Sequence, residues 1–421
     1  MNYNITKYQF YNLIIVLVIP TLILGPFIPD LIVSLSSLYF LFYLIKNKEF
    51  RFFNNIPFKF FFIFCVYCIF CSLFSKDILL SFESSLFYFR IGIFSCFIWF
   101  LIEKDLAILK YFYYSLLFSF LILFGDGLFQ YINGTNIYGL PILGNRISSF
   151  FGDELVMGSF LSRLMPLLLA LFLIKKKKKY EIYLMPLIII LSGVMIFLSA
   201  ERSSFAFYIL SLFLIIFFLK KFKKIIIVSI ISTGVILSLI TLNNPTLKDR
   251  MVDKVLFGIG LKEGSDNVIF THAHTVVFKT ALKMFKDKPI TGHGPKMFRV
   301  LHSDPKYYID KNSQQTHPHN HYIQLLTETG IIGFSFLLFV FIFLCKCFIN
   351  SIKSGLLNKN RIIDDYQICL LVCFFITLWP FSPNGNFFNN WLSIIYSLPV
   401  GFYLHSIYGK NKYKIINGLN D

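Results

Sequence analysis

KKFKKIIIVSIISTGVILSLITLN, residues 220–243, opens with Lys220, Lys221, Lys223 and Lys224 and then runs from Ile225 to Asn243 without a charge. A bilayer core takes about 20 apolar residues of helix, so the run is long enough to cross one. A chain inside lipid must satisfy its own backbone hydrogen bonds, which makes the run a helix. The pattern recurs along the 421 residues, at 8–25, 28–45, 58–75, 86–102, 110–131, 154–174, 181–199, 203–219, 225–243, 331–349, 366–382 and 389–405. These are continuous stretches of Phe, Leu and Ile, not the period-two alternation of an outer-membrane barrel. The expected fold class is all-α: a polytopic integral membrane protein of about 12 transmembrane helices, with a long helical loop before the tenth.

The formal net charge of +18 would point to nucleic acid in a soluble chain, but 56% of these residues are hydrophobic and only 15% charged. The cations fall at helix ends. Lys175 to Lys179, the 220–224 cluster and the Lys410, Lys412, Lys414 tail read as positive-inside anchors that make the bilayer the partner and exclude nucleic acid. With the N-terminus inside, 46–59, 103–110, 175–180, 220–224, 350–365 and the C-terminus are cytoplasmic. The first apolar run lacks a small-residue cleavage site and is expected to stay. All eight cysteines lie in expected spans. Cys65, Cys68 and Cys71 have metal-like spacing, but inside the apolar run Phe60 to Phe74 they read as small hydrophobes.

This orientation leaves two outer segments longer than a turn, 132–153 and 244–330. It divides the chain into an N-terminal bundle (1–243), a large outer loop (244–330) and a C-terminal bundle with its tail (331–421). From His274 to Lys288, apolar Val277, Phe278, Ala281, Leu282, Met284 and Phe285 recur at helical spacing opposite Lys279, Lys283 and Lys286, and Pro289 ends the run. That pattern is an amphipathic helix, lying on the membrane or packing over the bundle. Seven of the eight histidines fall in this loop: His272, His274, His293, His302, His317, His319 and His321. Imidazole is the side chain best able to take a proton near neutral pH. Pro318 favours a helix start, which would align Asn320, Gln324 and Glu328 as a polar stripe and turn Ile323, Leu326 and Ile331 toward the bundle.

His319-Asn320, nine residues and then Gly330-Ile331-Ile332-Gly333 resemble the signature of the O-antigen ligase and polymerase family, although Phe334 stands where the ligase pattern has Thr. Pro289-Ile290-Thr291-Gly292-His293-Gly294, with Phe298 and Arg299 following, is similar to a second family segment. The resemblance implies a bacterial inner-membrane glycosyltransferase with both termini cytoplasmic. Such an enzyme moves a glycan from an undecaprenyl-pyrophosphate donor to a sugar hydroxyl of lipid A-core, as a ligase, or of another lipid-linked glycan, as a polymerase. That reaction needs a base and cations for the diphosphate, and no cofactor or metal.

By position in the motif His319 is the expected base, with His317, Asn320, Gln324, Glu328, Gly292 and Gly294 in support. Arg202, at a tight hairpin, matches the family's catalytic arginine there. Arg90, Arg146, Arg163 and Arg299 are the further candidates for the diphosphate, since guanidinium pairs with phosphate oxygens bidentately. The alternatives are interfacial snorkelling for Arg90 and Arg202, an ion pair with Asp153 or Glu154 for Arg146, and one with Asp126 for Arg163. For the family's further arginine early in the long loop, His272, His274 and the more distant Arg250 are available. Two other readings remain: a transporter or flippase using Arg163 and Asp126, and a metal site of His317, His319 and His321 on an extended strand.

Overall fold

The computed structural model describes residues 7–175, 179–258, 271–356 and 363–411. Residues 176–178 of the five-lysine run, and Lys412 and Lys414 of the tail, lie outside the described residues. In chain order the helices are α1 (Lys7–Val16), α2 (Val18–Thr21), α3 (Phe27–Asn47), α4 (Ile56–Leu73), α5 (Ile78–Ser85), α6 (Arg90–Lys104), α7 (Ala107–Asn133), α8 (Met157–Ile174) and α9 (Leu184–Leu198). Then follow α10 (Arg202–Phe218), α11 (Lys223–Asn243), α12 (Pro245–Lys248), α13 (Lys254–Gly258), α14 (His272–Asp287), α15 (Phe298–Leu301), α16 (His321–Leu356), α17 (Asp365–Thr377) and α18 (Asn390–Tyr408). No strand forms among the described residues.

Eight helical stretches are long and apolar enough to cross a membrane, one of them the joined Ile78–Lys104, and Tyr11–Thr21, Arg202–Phe218 and Asp365–Thr377 are shorter apolar helices. By length and composition the described count is thus eight, against the expected twelve. The shortfall has local causes. The first stretch is interrupted between α1 and α2, α10 has only 17 residues, α17 stops at Thr377 with Pro380 and Pro383 close behind, and α18 carries Ser393, Ser397 and His405. The helices nevertheless make this a membrane protein.

Burial orders the bundle. α8 is buried from Met157 to Phe172 and packs against α7, α9, α10 and α17, whereas α11 buries only Ile226, Ser229, Thr233 and Leu237. A helix apolar on every side belongs inside a bundle or against lipid, and here α8 takes the first place and α11 the second. Arg163 sits in the middle of α8, only 4% exposed. α18 lies along α6, and α3 covers the other flank of α6.

The polar region between α11 and α16 has its own small core, built from Val277, Ala281, Met284, Met297, Phe298, Leu301 and Tyr307. α14 is the expected amphipathic helix. It packs on α16, with the Thr327 hydroxyl donating to the Ala281 carbonyl at 3.1 Å, and Leu282 of the expected apolar face is exposed.

The segment 289–294 crosses α16 where that helix breaks. Gly330 has φ +64° and ψ −168°, the Ile331 N–H donates to the Pro289 carbonyl at 2.8 Å, and the Tyr67 hydroxyl donates to the carbonyls of Thr329 (2.9 Å) and Ile290 (3.1 Å). A Cβ on Gly330 would lie 2.1 Å from the Ile290 carbonyl oxygen, which is backbone and cannot yield. Gly330→Ala is therefore expected to cost at least about 1–3 kcal/mol, from positive φ plus the clash. A lower melting midpoint of the detergent-solubilised protein would register it, and an unchanged midpoint would contradict this packing.

The break also corrects one expectation. Ile331 is 44% exposed and does not turn toward the bundle, because the non-helical residue before it resets the helical phase.

Candidate functional site

α16 begins at His321, and the residues ahead of it are held by main-chain bonds. His319 is left-handed at φ +56°, and its carbonyl accepts from the Asn384 N–H at 2.7 Å. His and Asn tolerate this region better than most residues, and strain of this kind gathers at functional sites. The Asn320 side-chain oxygen accepts from the N–H groups of Tyr322 (3.0 Å) and Ile323 (3.1 Å), as an N-cap does, and its amide donates to the Pro380 carbonyl at 2.8 Å.

The polar stripe exists, and it is buried. Gln324 donates to Glu328 at 3.0 Å and to the Asn386 side chain at 2.9 Å, and accepts from the Phe387 N–H at 2.9 Å. Both Gln324 and Glu328 are fully buried, and Glu328 also accepts from the Phe298 N–H at 3.3 Å. The stripe thus fastens the segment 380–388 and the head of α15 to α16. The sequence reading missed 380–388 as part of the site. Its signal was there, in the Pro380 to Asn386 run of prolines around Asn-Gly-Asn, which breaks helices and supplies polar turns.

Gly292 and Gly294 serve close packing. A Cβ on Gly292 (φ +67°) would stand 2.4 Å from the Glu328 carbonyl carbon, and one on Gly294 (φ +101°) 2.5 Å from Ser75. The Gly294 N–H donates to the Glu328 carbonyl at 2.8 Å. His293 between them is buried, with its ring on the Met284 carbonyl at 2.9 Å.

Three imidazoles meet at the mouth of the site. The His319 ring lies 4.2 Å from His317 and 5.8 Å from His274, centroid to centroid, and its Nε2 is 3.5 Å from the Gln315 side-chain oxygen. Burial, with His274 nearby, pulls the His319 imidazole down to about 4. Burial, with His319 and Arg299 nearby, pulls His317 down to about 3. His274 is lowered too, by burial and then by Arg202. No group of three or more His, Cys, Asp or Glu side chains is arranged to hold a metal ion among the described residues. The extended-strand metal reading fails for a geometric reason: His321 has already entered helix and lies against Phe387 and Tyr396.

The arginines gather on the hairpin between α9 and α10. Arg146 Nε donates to the Ser199 carbonyl at 3.2 Å and its Nη2 to the Leu155 carbonyl at 3.2 Å, while Arg250 Nε donates to the Ala200 carbonyl at 3.1 Å. Burial lowers both guanidinium pKa values, and the charges of Arg146 and Arg202 lower Arg250 further. Arg202 is exposed beside them, within electrostatic reach of His274. Glu201 is turned inward: its carboxylate accepts from the N–H groups of Gly158 (2.7 Å) and Ser159 (3.0 Å) and from the Ser204 hydroxyl (2.8 Å). Burial raises its pKa, and the carboxylate caps α8 while staying within electrostatic reach of Arg146 and Arg163.

The remaining candidates are distributed differently. Arg146 does not pair with Asp153 or Glu154; it donates to the Ser199 and Leu155 carbonyls instead. Arg163 does not pair with Asp126; it donates to Ser159 (2.5 Å) and Asn384 (2.7 Å), while Asp126 accepts from the Ser149 hydroxyl (2.5 Å) and the Ile137 N–H (2.9 Å). Arg90 is ion-paired with Asp30 at 2.6 Å and donates to the Phe87 carbonyl at 3.0 Å. Arg299 is within electrostatic reach of His317 and Glu328, and its buried Nε has no hydrogen-bond partner among the described residues. The structure therefore gathers Arg146, Arg202 and Arg250 at the hairpin, with Arg202 within electrostatic reach of His274, while Arg299 is within reach of His317, Arg163 within reach of His321, and Arg90 is paired with Asp30.

Residues 187–338 match the family described as O-antigen ligase, a span from α9 to the membrane-directed part of α16 that includes Arg202, Arg250, His274 and His319. No curated protein matches the chain significantly.

Proposed function

We propose, from the O-antigen ligase match as premise, that this protein transfers a glycan from an undecaprenyl-pyrophosphate donor to a sugar hydroxyl at the outer face of a bacterial inner membrane. The observation that carries the reading is the gathering of Arg146, Arg202 and Arg250 at one hairpin, with Arg202 within electrostatic reach of His274, whose ring meets that of His319. Like charges held this close favour a multivalent anion between them, and a diphosphate supplies it.

The acceptor hydroxyl attacks the anomeric carbon, a new glycosidic bond forms, and the carbon–oxygen bond to the diphosphate breaks. The hydroxyl proton passes to the imidazole of His319. The undecaprenyl diphosphate leaves with its added negative charge opposed by Arg202, with Arg250 and Arg146 fixing the hairpin that carries it. Arg250 thus fills the role of the arginine that the resemblance called for early in the long loop. A single displacement inverts the anomeric centre. Lipid A-core is the acceptor for a ligase, and a second lipid-linked glycan for a polymerase.

The glycolipid profile of a deletion strain tests the reading. Long polymer left on its lipid carrier is the expected result, core bearing a single repeat marks the polymerase, and an unchanged profile overturns glycan transfer.

The low imidazole pKa gives a pH prediction. His319 stays neutral, and able to take a proton, down to about pH 4, so kcat/KM is expected to fall only as pH drops through about 4, well below the ordinary 6.5 of imidazole. Between those values the unfolded chain binds the proton that the native state refuses, so stability is also lost as pH falls through that window. Initial rates on protein verified as folded separate the two effects. An acid limb centred at 6.5 would contradict a buried base.

A further inference from the structure

An in-line displacement needs its nucleophile on the side of the anomeric carbon away from the leaving group. If the diphosphate lies on the arginine side of His319, the acceptor enters from the other side. This argument rests on the reading above.

That other side has a different chemistry. His317 meets His319 and is within reach of Arg299, whereas His274 is the imidazole within reach of Arg202. Beyond His317 and His319 runs a surface of uncharged polar groups already bonded to one another. Gln314 donates to the Ser303 hydroxyl at 3.3 Å, Ser303 meets His302 Nδ1 at 2.7 Å, Thr316 meets His317 Nδ1 at 2.9 Å, and Gln315 meets His319 at 3.5 Å. Ser303, Gln314 and Thr316 are exposed, and His302, Gln315 and His317 are half-buried.

The surface is stiff. Ser313 beneath it is fully buried, accepts from the Thr280 hydroxyl at 2.9 Å and the Ile309 N–H at 3.1 Å, and so ties the 310–316 turn to α14. Burial keeps His302 and His317 below their ordinary pKa, hence neutral. Amide, hydroxyl and neutral imidazole each both donate and accept, which is what adjacent sugar hydroxyls require and what a phosphate does not. Groups fixed before binding lose little entropy when a ligand docks.

We infer that His302, Ser303 and Gln314 to His317 form the acceptor subsite, a surface for an uncharged sugar ring that presents its hydroxyl to His319 from the face opposite the diphosphate.

The test uses the full-length protein in proteoliposomes, with lipid-linked glycan and lipid A-core purified from the deletion strain, each varied in turn. Ser303→Ala/Gln314→Ala changes two exposed side chains, and Ser303→Thr keeps the hydroxyl as a control. The double variant is expected to raise KM for the acceptor about tenfold while the donor KM and kcat stay near wild type. An unchanged acceptor KM, or a rise in the donor KM instead, overturns the assignment.

A second measurement separates this proposal from the one beneath it. Saturation-transfer NMR with the oligosaccharide released from the core should show binding to wild type and its loss in the double variant. If the wild type binds that oligosaccharide but transfers nothing, the reaction is wrong and the subsite stands. If it binds none, the subsite falls.

Discussion

His319→Ala is expected to lower glycan transfer by about 10²- to 10⁴-fold, the range lost with a general base, in a protein that still folds and inserts. The backbone around His319 is held by its own carbonyl and by the Asn320 cap, neither of which the substitution touches. The side chain makes one long contact to Gln315 and ring contacts with His317 and His274, and no short hydrogen bond is lost with it. Alanine is less at ease than histidine at φ +56°. His319→Asn is therefore the cleaner variant, because asparagine accepts the left-handed conformation and cannot act as the base. Normal attached glycan in a deletion strain carrying either variant would remove His319 from the mechanism.

Arg202→Ala should cost about 10²- to 10³-fold, the usual loss when one preorganised donor to a developing negative charge is removed. Arg202 is exposed, and among the described residues it forms no hydrogen bond, so its removal should leave stability within about 0.5 kcal/mol. Arg202→Lys keeps the charge without the planar fork and is expected to recover part of the rate. Turnover with both substrates saturating is the quantity to compare. Wild-type turnover in Arg202→Ala would place the diphosphate elsewhere, and Arg299 would then be the arginine to examine.

The apolar runs were legible because lipid imposes them residue by residue, and α14 was legible because a half-buried helix writes its period into the sequence. The partners of the arginines were not. Arg163 finds Asn384 and Arg90 finds Asp30 across the bundle, and no local pattern carries such pairings. The stripe at Asn320, Gln324 and Glu328 was visible as spacing, but its direction depended on the segment 380–388, which reads as a simple turn until the fold folds it back. Arg250 was visible and undervalued, since only the fold carries α12 and the π-helical turn Asp249–Asp253 back onto the hairpin at Ala200.

The break at Gly330 divides α16 into two mechanical parts. The piece after it can tilt to match the thickness of the bilayer, as membrane helices do. The piece before it takes its position from Tyr67, the 289–294 strap and the 380–388 segment. Changes in lipid thickness are thus expected to be absorbed at one glycine, and the register of the imidazole against its arginines is insulated from the membrane that anchors it.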